Sequence, residues 1–284
     1  EAELSSAVKV VREIRQNYHG LVGGINLMCP KRMEAVTGQA QDSWTILGGI
    51  YGSRDITAAI CKEIRQTTKE NKFTKVNCLE NRSLRFLLRL KKWLGWLRIL
   101  PEFQAKIQQS VSIYKILNGQ PSQMALSLAY KSIHKSVNLE KERLDPAQDG
   151  CGLLWFAPLI PLKEDIVHQL LAATRKICSK NNIEDMITLT AISPLCLDAT
   201  IPILFNPKDE SAVARANQAR EELLDVASKM GLVPYRFASN QMQTGFSQIA
   251  SKTYLNCIKS IKSVFDPHAI ISPGRYESLA ENHH

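Results

Sequence analysis

Two short stretches near the C-terminal end carry the residues best suited to chemistry. Pro234-Tyr235-Arg236 follows a long helical pattern and the turn at Gly231, and Pro273-Gly274-Arg275-Tyr276 follows a second amphipathic helix. Arginine stays cationic and offers fixed donors wherever negative charge gathers. The two placements therefore read as one side of a binding surface whose other side is supplied from elsewhere. Taken without their surroundings, Tyr235 and Arg236 read equally as a surface pair that ends a strand.

Other reactive groups offer less. Of six histidines, His283 and His284 are terminal, His19, His134 and His168 fall in strand, loop and helix contexts, and His268 lies in a turn. The chain has no Gly-x-Gly-x-x-Gly, no P-loop, no Gly-x-Ser-x-Gly and no His-Glu-x-x-His, so the common local signatures of nucleotide, acyl and zinc chemistry fail. Its seven cysteines, at 29, 61, 78, 151, 178, 196 and 257, are odd in number. None forms a CxxC or a Cys/His set at zinc spacing, so neither a disulfide framework nor a metal is expected, and a reducing, cytoplasmic setting fits best.

The 284 residues are 44% hydrophobic, enough for a substantial core. A formal charge of +9 can attract anions, acidic lipids or an acidic partner, yet no run of five like charges occurs and a basic solvated surface serves as well. Without an aromatic RNP strand or a GxxG clamp, basicity does not indicate nucleic acid. The longest apolar run, residues 152 to 162, is broken by Pro158 and Pro161 and is too short for a bilayer, so a soluble protein is expected. The start at Glu1, directly in a helical pattern, and the His283-His284 ending suggest a piece of something longer.

The elements that must position these groups follow from periodicity. A helix is expected over Ala2 to Ile14, a glycine-rich strand over His19 to Met28 stopped by Cys29-Pro30, a short helix to Val36, and a second glycine-rich strand over Trp44 to Tyr51. Ser53 or Asp55 caps a helix bearing Ile56, Ala59, Ile60 and Ile64, and extended structure resumes from Phe73 to Cys78. From Arg82 to Arg98 cations interleave with Leu, Phe and Trp: either a basic helix for a membrane surface or partner, or a helix packed on its own domain with snorkelling stems. Asn118 to Ser122 is a break, with Ser122 capping a helix over Met124 to Tyr130. Glu140 to Gly150 is a boundary or long loop. Beyond it come a strand over Leu153 to Leu162, a helix over Lys163 to Lys180, strands over Asp185 to Ala191 and Ala199 to Phe205, and a helix over Asp209 to Met230. The pattern is α+β: an antiparallel sheet covered by helices on one face, in two units of roughly 1–140 and 150–284 sharing an extended sheet.

Four stretches together resemble a known family. Trp44-Thr-Ile-Leu-Gly-Gly-Ile-Tyr-Gly-Ser-Arg54, Asp149-Gly-Cys-Gly-Leu-Leu-Trp-Phe-Ala-Pro158, Pro234-Tyr-Arg236 and Phe265-Asp-Pro-His-Ala-Ile-Ile-Ser-Pro-Gly-Arg275 occur in the order and at about the spacing of FAD-linked oxidases of the vanillyl-alcohol oxidase and p-cresol methylhydroxylase type. The resemblance covers nearly the whole chain but only the C-terminal, substrate-binding or cap half of that family. The glycine-rich FAD-binding domain has no counterpart in these residues. It implies a ferredoxin-like sheet whose bare face roofs the flavin, with substrate between the two domains, and oxidation of para-substituted phenols by hydride transfer to flavin.

Carried over residue by residue, Tyr235 would contact the substrate oxygen and Arg236 would balance negative charge on substrate and cofactor. Arg275 falls where the chain returns to the flavin domain. Two departures stand out: Asp198-Ala199 replaces a His-His pair, and Gly150 or Cys151 stands where some members attach FAD through His. FAD is therefore expected to bind non-covalently, Asp198 is a base or a turn cap, and Cys151 is a thiol near the ring or an inert buried one. The implied partners are an FAD-binding domain of the same protein or complex and an aromatic small molecule, with homo-oligomers and peripheral membrane contact left open. The alternative is a non-catalytic binding or assembly module that keeps the cap fold.

Overall fold

The fold begins with a helix whose apolar residues recur at three- and four-residue spacing. Helix α1 (Ala2–Asn17) buries Leu4, Ala7, Val8, Val11 and Ile14 on one stripe. Arg15, itself buried, donates from Nη1 to Val22 O at 2.6 Å and from Nη2 to Ile192 O at 2.9 Å, which fastens the end of α1 to the sheet. The computed structural model describes residues 2–71, 76–78, 83, 86, 89, 110–135, 137, 143–238, 242 and 250–275. The basic stretch from Arg82 to Arg98 lies outside them save for Ser83, Phe86 and Arg89.

Strand β1 (Val22–Met28) runs into α2 (Pro30–Thr37), where Pro30 opens the helix and Gly38, at φ 67°, closes it. Strand β2 (Thr45–Ile50) leads to α3 (Arg54–Glu70), capped by Ser53, whose hydroxyl accepts from the Ile56 amide. The second half supplies β3 (Gly152–Phe156), β4 (Pro158–Pro161), α4 (Glu164–Lys180), β5 (Thr188–Ala191), β6 (Cys196–Phe205), α5 (Glu210–Lys229), β7 (Val233–Pro234) and α6 (Lys252–Phe265). Helix α5 starts on Asp209, whose carboxylate accepts from the Ser211 and Ala212 amides, and the chain turns after it at Gly231, φ 68°.

These seven strands pair antiparallel, in the order β2-β1-β5-β6-β4-β7, with β3 also on β6. Strand alternation assigns the two faces. Ile25, Leu27, Leu189, Leu197, Ala199, Ile201, Ile203 and Ile160 are buried in one core cluster with α1, α4 and α5. Asn26, Thr190, Asp198, Thr200, Leu159 and Trp155 alternate with them and stand on the opposite face, none of them fully buried. The α+β fold, with an antiparallel sheet and helices on one face, agrees with the sequence reading.

Several local expectations are corrected. The strand expected over Leu153 to Leu162 is interrupted at Ala157, but β3 and β4 hold one register along β6, from Gly152 opposite Phe205 to Pro161 opposite Cys196. Pro158 lacks the N–H needed to carry the ladder through. Strand β6 begins at Cys196 rather than Ala199, which puts Asp198 within a strand and removes its reading as a turn cap. The helix expected over Met124 to Tyr130 is two 3-10 turns, Gln123–Ala125 and Ser127–Ile133, although Ser122 does cap the first. Residues 76–78 form no strand, and the remainder of the strand expected from Phe73 lies outside the described residues. Cys78 instead forms a disulfide with Cys61 of α3, against the reading of all cysteines as reduced. The two are 17 residues apart, with a helix intervening, so no short cysteine motif announced them.

Candidate functional site

The exposed face of the sheet gathers the polar residues. Following the registers across it, one transverse row reads Leu47, Asn26, Thr190, Asp198, Leu159 and Val233, on β2, β1, β5, β6, β4 and β7. The next row holds Met28, Thr188 and Thr200 and ends beside Tyr235, whose amide donates to Ala157 O at 3.2 Å.

Asp198 sits at the centre. Burial pushes its carboxyl above the usual aspartate range, against the smaller opposing effects of the Thr200 hydroxyl and the Arg236 charge. Thr200 Oγ1 donates to Asp198 Oδ2 at 3.4 Å, while Oδ1 is buried and has no hydrogen-bond partner. A buried acceptor left unpaired is destabilising by roughly 1–3 kcal/mol and is retained where something else requires it. Thr188 Oγ1, in the neighbouring row, is likewise buried without a partner.

Tyr235 and Arg236 close one side. After β7 the chain bends, leaving both side chains exposed, and the Arg236 guanidinium lies 5.1 Å from the centre of the Tyr235 ring. Such stacking holds the cation in place at about 0.5–1 kcal/mol when exposed. The structure thus brings together Asp198, Tyr235 and Arg236, from strands far apart in sequence. A flat ligand with an anionic group finds here a cation, an aromatic surface, apolar Leu159 and an unsatisfied carboxyl oxygen, and these suit the edge of a flavin as well as a phenol.

The other two sequence candidates lie elsewhere. Cys151 precedes β3 and is six residues along the β3–β4 line from Ala157, roughly 20 Å at about 3.3 Å per residue. Burial raises its thiol pKa, only partly offset by the Ser132 hydroxyl, so it is a poor nucleophile. Its loop is fastened by Tyr130, whose hydroxyl bonds the Asp149 carboxylate and accepts from the Asp145 amide at 2.9 Å. Arg275 ends a hook after α6. There the Asp266 carboxylate accepts from Lys262 at 2.8 Å and from the amides of Ile270 and Ile271 at 2.8 and 2.9 Å. Arg275 itself donates its amide to Ser272 O, and no described contact joins it to the Asp198 cluster.

Asn26 and Thr190 escaped the sequence reading. Asn26 lay in a glycine-rich strand, where asparagine passes for turn chemistry, and only pairing with residues 164 positions away exposes its place beside Thr190. Among the described residues no cluster of His, Cys, Asp and Glu could hold a metal ion, and no helix is long and apolar enough to cross a membrane.

No family model matches the chain. It is 26% identical over 136 residues to a 1'-carboxy-chondrochloren decarboxylase of Chondromyces crocatus, covering 48% of this chain and 25% of that protein. It is 25% identical over 138 residues to the flavoprotein subunit of 4-cresol dehydrogenase (hydroxylating) of Pseudomonas putida, covering 49% and 26%. In fold it is similar to p-cresol methylhydroxylase with substrate bound, at a TM-score of 0.71 and 15% identity over 98% of this chain and 51% of that one. It is also similar to 4-ethylphenol oxidase from Gulosibacter chungangensis in its isoeugenol complex, at 0.74 and 13% over 99% and 52%. The chain spans about half the length of these solved structures and matches a quarter of each curated relative. The resemblance read from the four motifs is borne out: the fold is that of one half of vanillyl-alcohol oxidase-type flavoproteins, and of the two curated relatives one is the flavoprotein subunit of a dehydrogenase and the other a decarboxylase.

Proposed function

We propose that this chain is the substrate-binding part of an FAD-dependent oxidoreductase that oxidises a phenolic or aromatic-alcohol substrate by hydride transfer to flavin. The observation that carries the reading is the convergence of Asp198, Tyr235 and Arg236 on the face of the sheet opposite the α1, α4 and α5 core, with Asp198 Oδ1 buried and unpaired. In this reading Tyr235 contacts the substrate oxygen and Arg236 offsets the negative charge of a phenolate. Stacking on Tyr235 keeps the guanidinium from swinging into solvent. Asp198, its carboxyl displaced toward neutrality by burial, takes up or returns a proton on the substrate. Leu159 and Trp155 supply apolar surface against which a ring can lie. Bound FAD supplies the hydride acceptor, and its main binding domain is a partner, in the same protein or complex, that packs over this face. Arg236 and Arg275 are the residues of this chain assigned to the cofactor side. Cys151, some 20 Å along the strand by residue spacing and protonated, has no covalent role.

The test is Arg236→Ala in the protein assembled with its flavin domain. The rate of flavin reduction by a phenolic substrate is expected to fall about 100- to 1,000-fold, the range for removing one charge-stabilising donor. Unchanged reduction would sink the assignment.

A further inference from the structure

The row that contains Asp198 continues for two more strands. Strand β1 carries a bulge: its register with β2 shifts between Gly23 and Asn26, and Gly24 has φ 58°. Bulges of this kind re-aim a side chain. Here the Gly24 carbonyl accepts from Asn26 Nδ2 at 2.8 Å, while Asn26 Oδ1 accepts from Thr190 Oγ1 at 2.7 Å. A carbonyl cannot donate, so the contact to Gly24 fixes which end of the amide is nitrogen. The second N–H of that amide is engaged by no described residue. Leu117 packs at the bulge, its Cδ2 lying 3.7 Å from where a Gly24 Cβ would be.

From Asp198 to Asn26 is two strand spacings, and from Asp198 to Val233, two residues before Tyr235, is two in the other direction, so the row is about 19 Å long at about 4.8 Å per strand. A phenol with a one- or two-carbon substituent fills only the Tyr235 to Asp198 part. We propose that Asn26, fixed by the Gly24 bulge and Thr190, is a second ligand contact. The substrate of this site is then an elongated para-substituted phenol whose tail presents a hydrogen-bond acceptor to Asn26 Nδ2. This rests on the reading of Tyr235 and Arg236 as the phenol end.

The test compares three probes that share a para-alkylphenol head: 4-ethylphenol, 4-heptylphenol, and 6-(4-hydroxyphenyl)hexanamide, whose chain is long enough to carry its carboxamide across the row to Asn26. Binding to the protein assembled with its flavin domain is measured by titration calorimetry. The hexanamide is expected to bind about five- to tenfold tighter than 4-heptylphenol, the worth of one hydrogen bond. Asn26→Leu removes that preference and leaves 4-ethylphenol affinity unchanged. Thr190→Val, which frees the Asn26 amide to rotate without touching β1, reduces the preference, and Thr190→Ser restores it. Equal binding of the two long probes to the wild type, or a preference that survives Asn26→Leu, overturns the proposal while leaving the phenol reading intact. Absence of binding by all three overturns both.

Discussion

Replacing Gly152 with alanine tests the packing that sets β3 against β6. A Cβ at Gly152 would lie 2.2 Å from the Phe205 carbonyl oxygen and 2.9 Å from two carbons of its ring. The nearest obstacle is the backbone that ends β6, held opposite Gly152 by strand pairing, and it cannot rotate away as a side chain would. Relief requires the Gly152 backbone to retreat from β6 by about 1 Å, into the bond its amide makes to Ser132 Oγ at 3.1 Å. Overpacking contributes roughly 1–3 kcal/mol and one strained hydrogen bond about 1, giving a loss near 3 kcal/mol. At about 2–4 °C per kcal/mol for a chain of this size, the melting temperature falls by roughly 6–12 °C. Gly150 is the control: its φ is 73° but nothing lies within 4 Å of its added Cβ, so Gly150→Ala meets only the left-handed strain of about 1 kcal/mol. Urea denaturation of the two variants and the wild type reads the difference. A Gly152→Ala variant within about 0.5 kcal/mol of wild type, or one more stable than Gly150→Ala, would refute the reasoning.

Two further variants probe the site and the disulfide. Asp198 has a folded-state pKa above its unfolded value of 3.8, so its carboxylate weakens the fold increasingly as pH rises through the folded pKa, and below 3.8 both states are protonated. Asp198→Asn is expected to unfold at higher urea than wild type at pH 7, with the gain shrinking as pH falls toward 3.8; an equal gain at both pH values would contradict the burial of this carboxyl. Reducing Cys61–Cys78 opens a loop of 17 residues in sequence separation, and dithiothreitol should lower stability by about 3 kcal/mol. Cys61→Ser should reproduce that loss and be insensitive to reductant, so a wild type indifferent to dithiothreitol would deny the bond in solution.

The sequence carried the helices well because their signals are local. Leu4, Val8, Val11 and Ile14 repeat at helical spacing, Ser53, Ser122 and Ser251 sit where caps belong, and Gly231 closes α5. Strand limits were less legible: β6 begins at Cys196 rather than the expected Ala199, and only the pairing of Cys196 with Pro161 shows it. Tyr235 and Arg236 were found through a motif, while Asp198 drew notice as a departure from one. Asn26 and Thr190 could not be found by either route, since their significance lies in a register between strands far apart along the chain. The Cys61–Cys78 bond was missed for the same reason: its two halves meet only once α3 has formed.

Proline placement near Tyr235 has a consequence for what the sheet can join. At its β4–β7 margin, Pro158 faces Pro234, and Pro161 ends β4. Pro158 is already covered by β7, and on β7 Pro234 has no amide hydrogen to offer an incoming strand. β7 itself is only two residues long. Among the described residues this margin is therefore poorly suited to strand addition, which guards the protein there against edge-to-edge polymerisation. Any other domain that meets the molecule at Tyr235 must do so through side chains, which lets the interface open and reclose without unzipping the sheet.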